Sequence, residues 1–147
     1  MKYYMKNITK FFDFMSSCAK CNIEDLQRIM SSADFDPQWC IYKADGYYSP
    51  LYSACMCGHP EIVELLLKYV DVIPNNCFQT ACMPASDKRD NDFLKTAELL
   101  LKHGKFDKVV YYTPDLDELN DFEKQLKILF DEYMFRLDGP KYNENII

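Results

Sequence analysis

The stretch from Ser49 to Val72, SPLYSACMCGHPEIVELLLKYVDV, reads as two short antiparallel helices joined by a tight turn. Ser49 offers a hydroxyl to cap a helix, and Pro50 sits at the first helical position, where a missing N–H costs nothing. Leu51, Ala54 and Cys55 recur at helical spacing, with small side chains where another helix must approach closely. Gly58 ends the helix in a left-handed turn, and His59-Pro60 starts the next. In that second helix Ile62, Val63, Leu65, Leu66 and Leu67 form a broadly apolar surface, as expected of a helix packed on two sides. Such a hairpin cannot bury its own apolar face.

The rest of the chain repeats it. Residues 76–83, NCFQTACM, align with SPLYSACM at 49–56 at a shift of 27, which sets Ala81 and Cys82 where Ala54 and Cys55 stand. Glu98-Leu99-Leu100-Leu101-Lys102 matches Glu64-Leu65-Leu66-Leu67-Lys68 at a shift of 34, so about seven residues are inserted between the helices of the later copy. A fainter copy, Asn22 to Met30, lies 37 residues before His59 to Leu67 and follows an apolar face of Phe11, Phe12, Met15, Cys18 and Ala19. A helix-turn-helix period near 33 residues marks a stacked repeat array.

On these residues the chain resembles the ankyrin repeats. Ser49-Pro50-Leu51-Tyr52, Ala54-Cys55, Gly58-His59 and Glu61 to Leu67 follow the family pattern, with Tyr52 in place of its histidine. The third copy has Cys77 at the proline position and Gln79 at the histidine position, and the first matches only in its second helix. Lys68 to Val72 lacks the glycine that normally follows the second helix, so irregular hairpins between repeats are expected. The resemblance implies an all-α stack in one domain, with repeats at about 9–40, 43–74 and 75–108, a helical cap at about 114–137 and a tail at 138–147.

Composition agrees with a single core. A chain of 147 residues that is 48% hydrophobic has the apolar content to fold, and its longest apolar runs fall far short of a membrane helix. Met1 to Asn7 carries polar residues throughout and no signal-peptide apolar stretch, so a cytoplasmic location is expected. Seven cysteines then point to a reducing compartment and free thiols. Acids outnumber bases by 23 to 17, which disfavours nucleic acid as a partner. Eight acids against three bases lie between Asp115 and Asp138, beside an apolar stripe of Leu116, Leu119, Phe122, Leu126, Leu129 and Phe130. That pattern suits a closing helix with a polar outer face, and its acidic charge can steer a basic partner.

The chemistry-bearing residues have two readings. Cys18, Cys21, Cys55, Cys57, His59, Cys77 and Cys82 have spacings seen in zinc ligation, and a thiol paired with His59 has the makings of a nucleophile and base. Against both, Cys18, Cys55 and Cys82 occupy equivalent seam positions where the family places a small alanine, and cysteine packs as a small hydrophobe. His59 reads as a turn residue, and His103 as a favourable charge at a helix C-terminus. No phosphate loop or nucleophile elbow is present. The expectation is therefore a non-enzyme with no cofactor and no metal, with a cysteine-rich zinc-binding or thiol-reactive protein as the alternative.

What remains is binding to another protein. Stacking leaves turn tips and first helices facing outward, and these positions recognise partners. Trp39, Tyr42, Lys43, Asp45, Tyr47 and Tyr48 fall in the turn before the central repeat; Ser53, Met56 and Cys57 fall on the outward side of its first helix. Met83 lies next along this surface, and the insertion Pro84 to Asp92 reads either as an extension of it or as a tolerated loop. Rigid aromatics with a polar tip are favoured at binding hot spots, and filling the irregular hairpin is the alternative reading for Trp39 and Tyr42. The resemblance to short ankyrin proteins of viruses, intracellular bacteria or protists, with a bias to lysine, asparagine, tyrosine and isoleucine, implies a host-directed effector that blocks or scaffolds one protein in the host cytoplasm or nucleus. An imperfect terminal repeat also offers a surface for a homodimer.

Overall fold

The computed structural model describes residues 8–41, 49–83, 90–114, 117 and 119–136. Its first hairpin pairs α1 (Ile8–Ala19) with α2 (Ile23–Met30). The stripe of α1 that turns inward is Phe11, Phe14, Met15 and Cys18. Phe12, read from the sequence as part of the apolar face, is 60% exposed, and Phe14 takes its place in the core. Cys21 ends this hairpin's turn at φ 55°, doing without a glycine, and Asn22 caps α2 by accepting the Asp25 N–H at 3.1 Å.

Helices α3 (Pro50–Cys57) and α4 (Pro60–Leu67) follow. Ser49 Oγ accepts the Tyr52 N–H at 3.0 Å. Gly58 adopts φ 67°, and the His59 and Gly58 amides donate back to the Ala54 and Cys55 carbonyls at 3.0 and 3.2 Å, which closes the helix in a Schellman motif. Gly58 is needed twice over, since a Cβ there would meet the Phe93 ring at 2.8 Å.

The third hairpin is α5 (Asn75–Ala81) and α6 (Asp90–His103). Pro74 supplies no side-chain cap to α5, and the Asn75 N–H donates instead to Asp107 Oδ1 at 2.9 Å, from beyond the end of α6. The same junction is tied by Ile73 N–H to Lys105 O at 2.7 Å and Asp107 N–H to Ile73 O at 2.9 Å, one parallel bridge between successive turns. His103 Nε2–H donates to Val70 O at 2.8 Å, so this histidine spans two repeats rather than only complementing its own helix end.

Helix α7 (Asp121–Arg136) closes the stack. Asn120 and Glu123 form a reciprocal capping box at 2.8 and 3.3 Å. First helices α1, α3 and α5 pack side by side in one row, and α4, α6 and α7 lie behind, each hairpin's two helices touching. Ala54, Cys55, Cys77 and Ala81 are fully buried where α3 meets α5. At the closing end Phe130 of α7 reaches Phe78 of α5 at 6.1 Å, with Phe106, Tyr112 and Tyr133 around them.

Candidate binding surface on the first-helix row

Helices α3 and α5 contain no charged residue in PLYSACMC and NNCFQTA. Their inward positions are filled by small or apolar side chains, so what they turn outward is short, neutral and polar, or methionine. Met56 is 46% exposed and Met83, just past α5, is 72% exposed. The two are equivalent under the shift of 27 that relates the hairpins, and α3 and α5 lie against each other, so the methionines mark one edge running across both repeats. Ser53 and Thr80, a second equivalent pair, are half-buried along it, as is Cys57. Methionine is unbranched and polarisable and adapts to varied apolar partners.

The remaining sequence candidates separate sharply. Trp39 does not belong to this surface. It is 2% exposed, held in the short 3-10 turn Pro37–Ile41 with its ring 5.8 Å from both Phe14 and Phe35 and 6.2 Å from Phe11. Phe35 in turn stacks edge-on with Tyr69 at 5.4 Å, so these rings fill the irregular turns of the first two hairpins. Tyr42, Lys43, Asp45, Tyr47 and Tyr48 lie outside the described residues, as do positions 84–89 of the insertion. Gln79, noted in the sequence only for standing at the histidine position, and Thr80 belong with the outward positions of α5; the repeat shift from Tyr52 and Ser53 was the signal for them.

The cysteines are arranged as packing, with one addition to the expected set. Cys18 and Cys55 are buried in the seams, Cys82 is half-buried against the core at the end of α5, and Cys77 joins them beside Cys55. Burial pushes the Cys18, Cys40 and Cys82 thiols up to about 12 and also raises Cys55 well above its ordinary range, with a hydrogen bond to Cys77 adding to it. A thiol held protonated is a poor metal ligand and a poor nucleophile. Among the described residues no three metal-binding side chains converge, and no helix is long and apolar enough to cross a membrane.

The family profile described as ankyrin repeats (3 copies) matches residues 14–110, from the middle of α1 to just beyond α6. No curated protein and no solved structure shows a significant match. Ankyrin repeats are in general protein–protein interaction modules. With the matched span reaching from within α1 past the end of α6, more than half of the chain, the chain belongs to the ankyrin-repeat family.

Proposed function

We propose that this chain is a non-catalytic binding module that blocks or scaffolds one protein partner, gripping it along the outward edge of α3 and α5. The observation that carries the reading is the pair Met56 and Met83, large apolar side chains left exposed at equivalent positions of adjoining repeats. The absence of charge from both helices supports a contact made by shape and apolar burial rather than by ion pairs. In this reading Tyr47 and Tyr48, which precede α3 in the sequence, add to the contact, and the partner is a host protein met in the cytoplasm.

The test is capture from cell extract with the full chain and with a Met56→Glu, Met83→Glu variant, compared by quantitative mass spectrometry. Both side chains point outward, so circular dichroism of the variant should match the parent. Proteins held by the parent should be lost by the variant, and Tyr47→Ala with Tyr48→Ala should weaken the same proteins. Retention of the same set in equal amounts by all three would refute the reading.

A further inference from the structure

The second-helix row ends in a surface that neither the stack nor the proposed contact uses. Between α6 and α7 a groove of about 730 Å³ opens to solvent, and a second hollow of about 240 Å³ continues it, sharing Glu98 and Leu129 as common wall. Leu94, Leu101 and Leu129 contribute apolar lining. Along the α7 side Phe135 is 82% exposed and Ile128 is 58% exposed, seven positions apart and therefore on one helical face. From Gln125 to Phe135 the groove follows α7 for about 15 Å, the length of roughly three helical turns.

Its rim is acidic. Glu98, Asp131 and Glu132 line the larger hollow beside a single lysine, Lys102. Lys102 bonds Glu98 and Lys127 bonds Asp131, both at 2.7 Å and both between exposed side chains one turn apart. Such surface pairs are weak and exchange readily for a competing cation. Glu132 stands outside both.

We propose that this groove docks a short amphipathic helix of a protein partner whose apolar stripe is flanked by lysine or arginine. Anchors at helical spacing would seat beside Phe135, Ile128 and Leu129, and the flanking cations would meet Glu98, Asp131 and Glu132, the helix-in-groove mode of recognition. A second copy of the chain fits less well, since a two-fold contact sets the same patch against itself and brings acid toward acid. The site lies behind the row that carries Met56 and Met83, and does not depend on that edge being a contact.

The probe is a fluorescent peptide of about 14 residues with leucines at helical spacing and lysines between them, titrated with the full chain and followed by anisotropy; a leucine–glutamate peptide is the control. The lysine peptide should bind, shift the amide signals of Leu129 and Phe135, and lose affinity by about tenfold or more with Phe135→Glu. That variant makes the chain more negative, so unspecific attraction would strengthen where groove binding fails. Glu132→Lys should weaken the lysine peptide by several-fold. The proposal is overturned if the two peptides bind alike, or if Phe135→Glu leaves the affinity unchanged while circular dichroism shows an intact fold. Sedimentation showing a dimer abolished by Phe135→Glu, with no peptide binding, would give the groove to a second copy and overturn it. Nuclear Overhauser contacts from Phe135 to Tyr142 or Ile147 in the free chain would give it to the chain's own end, with the same consequence.

Discussion

Gly58 shows how one residue can be required by two separate constraints. Its φ of 67° favours glycine on backbone grounds, and the Phe93 ring occupies the space a Cβ would need. Gly58→Ala should therefore destabilise the fold by about 1–3 kcal/mol, read as a lower urea midpoint with an unchanged slope. The backbone half was legible in Cys57-Gly58-His59, but the ring comes from 35 positions later and no local pattern announces it. Trp39 had two readings for a related reason. Aromatic rings in a turn look like contact residues until the tertiary fold shows Phe11, Phe14 and Phe35 gathered around one of them. The buried thiols set a further expectation. Cys18, Cys40 and Cys82 rise from 9.0 in an ordinary environment to about 12 in the fold, so above pH 9 the unfolded chain loses protons that the native chain keeps. Stability should then be level through neutral pH and fall progressively between about pH 9 and 12, each thiol removing up to about 1.4 kcal/mol per pH unit. A urea midpoint that stays flat to pH 11 would show that these thiols are not desolvated.

Helix boundaries were readable where the capping chemistry is local. Ser49-Pro50 opens α3 and Gly58 closes it as the sequence pattern requires, and Asn120 with Glu123 starts α7, later than the expected start of the cap near 114. Helix α5 was obscure because its cap comes from elsewhere: Asp107, 32 positions on, receives the Asn75 N–H. Asp107→Ala should cost about 1 kcal/mol, the usual value of a lost cap, and speed exchange of the Asn75 amide. An unchanged Asn75 exchange rate would mean that the bond contributes nothing to α5. In α1 the apolar residues run nearly all round, with Phe11, Phe12, Phe14 and Met15 close together, so periodicity alone did not settle which ring turns inward. Packing against α2 and α3 selects Phe14 and leaves Phe12 outside. Cys77 entered the seam beside Cys55 unannounced for the same reason, since the repeat shift fixes equivalence along the chain but not the rotation of a helix only 7 residues long.

The stack works because no hairpin can bury its own apolar face, so each layer depends on its neighbour. The repeat shifts made that dependence legible before any coordinates, and with it the outward position of Met56 and Met83. The groove behind α6 and α7 was not legible, because it arises from two helices joined only through the fold, although the apolar stripe that includes Phe130 already leaves Phe135 off it. Among the described residues, the junction between the second and third hairpins concentrates the cross-repeat bonds, with Ile73, His103 and Asp107 all reaching across it. Neighbouring layers in contact are the premise of every surface described above. The most direct test is a long-range HNCO experiment that detects scalar coupling across the hydrogen bond from the Ile73 amide to the Lys105 carbonyl. A correlation between them, with Ile73 protected from solvent exchange, is the predicted result; no correlation and an Ile73 amide exchanging as fast as in an unfolded chain would contradict the stack.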